Sequence, residues 1–207
     1  MAAIKSMMLA VALACGLGAA HAGEAGDAVF AERGPWALGD RVLTWRMVVD
    51  GPPAQGFQPI SDGRLDLAQV VGPSGGQPML QVTVQDGARD RLIGPFPVSA
   101  GDPVLMWFLE QTARDMSALT GGSPFYIKNR VKDALFRGGS LNRDGGRAVA
   151  VFRPFADDSN AARMAGFQTL TLTFEMDGET TNPIRRMTAV TEAVGAAPAY
   201  RSELVLK

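Results

Sequence analysis

Two side chains on which many enzymes depend are almost missing from this sequence: it has one histidine, His21, and one cysteine, Cys15. Both fall in the first 22 residues. There Lys5 ends a short basic region, Met7 to Leu17 is apolar, and Ala20-His21-Ala22 supplies small residues before a cut. That is the pattern of a secretory signal peptide. Its removal leaves neither imidazole nor thiol, which excludes Ser-His-Asp and Cys-His nucleophilic systems, thiol redox chemistry, zinc on Cys or His, and histidine-ligated haem or copper. No disulfide is then available, so an apolar core has to hold the fold. Cys15 also raises an alternative, a lipoprotein anchored through that residue with the following segment as tether. Such signals favour leucine three places before the cysteine, where Ala12 stands, so the expected form is soluble, periplasmic or secreted.

Long hydrophobic runs are also absent beyond the leader. The longest is Val104 to Leu109, six residues, too short to span a bilayer. Charge of one sign is not in excess either: with Lys5 removed, 19 basic residues face 21 acidic ones, a formal net of −2. No run of like charge marks a nucleic-acid partner. The spacing of candidate groups excludes little more but supports no catalytic reading. Glu110 and Asp115 are five apart on one predicted helix, too far round for a carboxylate pair, and Ser117 and Ser140 have no lysine at a motif spacing. "NRDGG" (142–146) and "ADDSN" (156–160) are oxygen-rich but lack the ligand spacing of a calcium loop, and read as turns.

What the sequence does contain is turn residues, 24 glycines and 13 prolines, between segments of period two. In "RVLTWRMVVD" Leu43, Trp45, Met47 and Val49 share one face. In "MLQVTVQD" Leu80, Val82 and Val84 do so, and in "TLTLTFEMD" Leu170, Leu172, Phe174 and Met176. Less regular strands are expected near 64–71, 89–94, 147–153, 186–194 and 199–206. The period turns helical only between 102 and 137. Asp102 caps a helix with Pro103 at its first position, and Leu105, Leu109, Thr112, Met116 and Leu119 form its stripe. "LTGGSPFYIKNR" is then the turn of a helical hairpin. Its Gly-Gly pair supplies the stop, Ser123 and Pro124 start a second helix, and Ile127, Val131 and Leu135 form its stripe. Trp107 and Phe108 cannot both lie on the first stripe, since neighbours are about 100° apart around a helix, so that helix is apolar over a wide arc.

The expected fold is α+β: a curved antiparallel sheet of eight or nine strands packed on a central two-helix hairpin. Residues 1–22 are the signal peptide, 23–39 a flexible segment, and 40–207 a single β-rich domain with the hairpin at 102–137. At the second helix start, Ser123, Lys128 and Arg130 form a candidate anion site, since backbone N–H groups and cations there favour negative charge. No metal site and no cofactor are expected.

The order of strands, two-helix insertion and further strands resembles the layout of bacterial periplasmic lipoprotein carriers and related envelope proteins, in which a curved open sheet wraps helices and encloses an apolar cavity. The chain departs from that layout in having no predicted helix before the first strand and none after Val194. The resemblance implies a hydrophobic groove lined by Trp45, Met47, Met106, Trp107, Phe108, Leu172, Phe174 and Met176. The function expected from it is a non-catalytic periplasmic binding or accessory protein for an apolar or amphiphilic envelope component. The alternative is a protein–protein interaction or envelope assembly module, followed by a histidine-free hydrolase or lyase. Rings packed shut beside an exposed apolar patch favour the interaction module.

Overall fold

The computed structural model describes residues 23–73, 75–87, 90–178, 182–193 and 199–207. The expected signal peptide, with Cys15 and His21, lies outside them. Nine strands form one antiparallel sheet that does not close into a barrel: β1 (Val42–Asp50), β2 (Ile60–Val71), β3 (Pro78–Gln85), β4 (Asp90–Pro97), β5 (Ser140–Asp144), β6 (Arg147–Phe152), β7 (Thr171–Asp177), β8 (Arg186–Val190) and β9 (Arg201–Leu206). The order across the sheet is β4-β3-β2-β1-β9-β8-β7-β6-β5. Two meanders therefore meet at the centre through β1 and β9. Their outer strands, β4 and β5, are joined by the helical hairpin α2 (Pro103–Thr120) and α3 (Pro124–Arg137).

Alternation drives this arrangement. Trp45, Met47 and Val49 on β1, Leu65 and Leu67 on β2, and Leu172, Phe174 and Met176 on β7 turn to one face and are buried. Arg46, Arg64 and Arg186 turn to the other, which stays wet. The helices cover the first face. Both expected helix starts are observed with Pro at their first turn, but only one has a side-chain cap. Asp102 Oδ1 accepts from the N–H groups of Val104 and Leu105 at 3.0 Å, whereas the Ser123 hydroxyl caps nothing. Gly121, at φ 68°, takes the left-handed turn that stops α2.

The segment 23–39 differs from the expected flexible one. Residues Glu24–Val29 form a short helix, α1, ahead of the first strand, and Ala25, Val29, Trp36 and Leu38 are buried. Trp36 Nε1 donates to the carbonyl of Gly101 at 2.7 Å, fastening the segment to the start of α2. Arg33, only 5% exposed, donates to the carbonyls of Val29, Ala31, Ala28 and Asn182. The fold also has β5, where the sequence suggested only a turn. Both edges are short or proline-bearing, with Pro95 and Pro97 on β4 and five residues in β5, which blunts edge pairing.

Candidate functional site

The eight apolar residues expected to line a groove do not gather around one. Trp45, Met47, Phe108, Leu172 and Phe174 are fully buried and Met176 nearly so, all within one packed core. Phe108 meets Phe174 edge to face at 6.1 Å, Phe152 meets Phe174 at 5.9 Å, and Trp45 Nε1 donates to the Ile184 carbonyl at 3.0 Å. Edge-to-face rings and a paired indole N–H are the marks of a filled interior. Trp45, Met47, Phe108 and Phe174 are thus corrected from ligand-lining residues to core. Met106 and Trp107 remain outside it: Met106 is 59% exposed, and Trp107 is half-buried against the core edge.

An apolar opening lies instead on the outside of the helical layer. Met106, Leu109 and Ala113 of α2 face Val131, Leu135 and Phe136 of α3 across a groove of about 370 Å³. Its end is made by Phe30, whose ring stacks on Phe136 at 5.0 Å with planes 1° apart. Leu109, Val131 and Leu135 belong to the helical stripes expected from the sequence, whereas Met106, Ala113 and Phe136 lie beside those stripes. What the sequence could not show is that Phe30, the residue closing α1, supplies the end wall, since Phe30 and Phe136 are 106 positions apart and share no local period. Glu110, Lys128 and Lys132 form the polar rim. Lys128 Nζ lies 2.7 Å from Glu110, which also pairs with Arg114 at 3.1 Å. Mainly the Lys128 hydrogen bond holds the Glu110 carboxyl below its ordinary range. Lys132 has no ion pair among the described residues.

The expected anion site is not assembled. Ser123 is exposed and caps nothing, and Lys128 is engaged by Glu110. Arg130 Nε lies 2.8 Å from the buried Asp158, though its N–H is not aligned for a hydrogen bond. Asp158 also accepts from the Tyr126 hydroxyl at 2.7 Å and the Asn160 N–H at 2.8 Å. Tyr126 and Arg130 therefore fasten α3 to the 153–169 loop rather than wait for a ligand. This also accounts for "ADDSN": its Asp158 is a tie, and among the described residues no three acidic, His or Cys groups are placed to hold a metal.

Besides Asp158 and Glu203, the carboxyl groups of Asp115 and Asp102 are buried with no sign of it in the sequence. Asp115 accepts from Tyr200 Oη at 2.9 Å and Gln111 Nε2 at 2.8 Å, and burial pushes its pKa up to about 6. Tyr200 is driven well above its ordinary range, first by burial and then by the Asp115 charge. Asp102 is raised by burial, against the N–H groups of Leu105 and Val104 and the charge of Arg33, and its Oδ2 has no hydrogen-bond partner among the described residues. Asp102 shares the lining of a second opening, of about 340 Å³, with Arg33 and caps α2 from there, whereas Asp115 is tied to Tyr200 and Gln111 within the core. No protein-family model matches this chain, and no curated protein matches it.

Proposed function

We propose that this protein is a non-catalytic binding module of the cell envelope whose working surface is the α2–α3 groove, and that its occupant is the apolar face of an amphipathic helix from another envelope protein. The observation that carries this reading is the contrast between a filled interior and an open, apolar groove flanked by exposed Met106 and Phe136. A cargo carrier needs enclosure, since ligand sites cover most of their ligand. A helix needs only a trough. Lining residues from Met106 to Ala113 on α2 span about 10 Å at the helical rise, room for anchors at i, i+3 and i+7. The edges of the sheet offer less, being blunted as described.

A photoreactive amino acid placed at Met106 or Phe136 in cells tests this, with Leu92 on β4, 70% exposed, as the control position. The expected result is one discrete protein adduct at both groove positions, none at Leu92, and loss of the Met106 adduct when Phe136→Glu puts a charge in the groove. Adducts of lipid mass at the same positions would replace the helix by an amphiphile. Adducts that ignore position, or that survive Phe136→Glu, would end the groove reading.

A further inference from the structure

The wet face of the sheet, opposite the helices, carries a second arrangement. In the register of the central strands Arg46 of β1 and Arg186 of β8 are both paired with Val205 of β9. The two arginines therefore rise on either side of one small side chain, with one strand between them and so about 10 Å apart at the backbone. Lys207 follows Val205 by two positions on the same face, held there by its N–H, which donates to the Thr44 carbonyl at 2.9 Å. Val48 and Val205 make an apolar floor. The resulting cleft, about 270 Å³, is lined by four cations, Arg46, Arg186, Arg201 and Lys207, and one carboxylate, Glu203.

Glu203 is only 8% exposed and sits beneath these cations. Arg186 Nε lies 2.8 Å from its carboxylate, as an ion pair without an aligned hydrogen bond, and Arg201 pairs with it as well, so Glu203 draws two guanidinium groups together at the cleft. The other acidic neighbours are loose and exposed: Asp62 lies 3.8 Å from Arg46 and Glu175 lies 3.6 Å from Arg186. Pairs of that kind hold their partners weakly. Lys207 makes no ion pair among the described residues. Guanidinium forks around a shallow floor match the oxygens of a phosphate group, which accepts paired N–H donors.

We propose that the open sheet face carries a phosphate-binding site over Val205, formed by Arg46, Arg186 and Lys207 and oriented by Glu203. The phosphate belongs either to a small soluble ester or to a lipid head group. The site is independent of the α2–α3 groove. Titration of the full chain with glycerol 3-phosphate, a soluble phosphate monoester, read by the amide resonances of Val205 and Lys207, and sedimentation with phosphatidylglycerol or phosphatidylcholine vesicles separate the two sources. Saturable shifts at those amides, weakened about tenfold or more in Arg46→Gln/Lys207→Gln and by added salt, assign a soluble ester. Binding only to phosphatidylglycerol vesicles, lost in the same double variant and kept in Arg137→Gln on the helical side, assigns a head group. Absence of both, or binding that the double variant leaves unchanged, overturns the proposal.

Discussion

Asp115 occupies a place where a carboxylate is costly: it is 4% exposed, and its two hydrogen bonds, from Tyr200 and Gln111, only partly replace water. Burial raises its pKa from 3.8 to about 6, which corresponds to about 3 kcal/mol between the two protonation states. Below pH 3.8 folded and unfolded chains both hold the proton, and the contribution is fully present. Between pH 3.8 and about 6 the unfolded chain releases it first, so this contribution to stability falls as pH rises and is gone above pH 6. Asp158 and Glu110, held low by their partners, act in the opposite direction, so the group must be isolated by difference. Thermal melts of the wild type and Asp115→Asn are expected to diverge by about 5–10 °C in their relative midpoints between pH 4 and pH 7, the variant gaining at the higher pH. Parallel midpoints across that range would show that Asp115 is not protonated in the fold. The sequence drew attention to this residue only as half of a rejected carboxylate pair with Glu110 and did not mark it as buried, because Tyr200, its main partner, is 85 positions away. Burial is a property of the assembled core and not of a spacing.

At the scale of elements, what was legible in the sequence was what local chemistry decides. The hairpin is the clearest case. Asp102, Pro103 and the Gly121-Gly122 pair fix both ends of α2 through bonds within a few residues of each, and the Glu110–Arg114 pair forms as its spacing requires. The six residues of α1 carry no such signal. They are too few for a stable isolated helix, and the helix exists because it packs on α3, β5 and β6. Gly26 makes that packing possible: a Cβ there would stand 2.1 Å from the Leu135 carbonyl oxygen, a contact that cannot be relieved by a side-chain rotation. Gly26→Ala is expected to push α1 off α3, separate Phe30 from Phe136 and cost about 1–3 kcal/mol. Limited proteolysis is the readout, with cleavage between residues 23 and 39 appearing while the hairpin stays protected. An alanine variant as resistant as the wild type would mean that α1 shifts without undocking. The polar strand β5 was missed for a related reason. "SLNRD" has one face exposed at an edge, and only its pairing with β6 makes it a strand.

The whole molecule is divided by its topology and joined at one seam. Each meander, β1–β4 and β5–β9, is built from neighbours in sequence, and hairpin signals suffice to predict such pairings. The seam is different. β1 and β9 pair over Trp45–Asp50 and Arg201–Leu206, closing a loop of more than 150 residues, and no local pattern announces it. The core crosses the same line: Leu204 is paired with Met47 on one side and Met187 on the other, and the Trp45 indole donates to Ile184 in the second meander. If this shared core binds the halves into one unit, neither meander keeps its structure once the seam opens. The three tryptophans, Trp36, Trp45 and Trp107, all belong to the first half or the hairpin, with Trp45 also in contact across the seam, so their fluorescence weights the first half and the seam, while far-ultraviolet circular dichroism reports every strand. Urea unfolding is expected to give superimposable curves by the two probes, with Leu204→Ala moving both midpoints together by about 2–5 kcal/mol. A fluorescence transition that precedes the dichroism change would instead show two meanders that unfold separately, and the seam would then be an interface between two units.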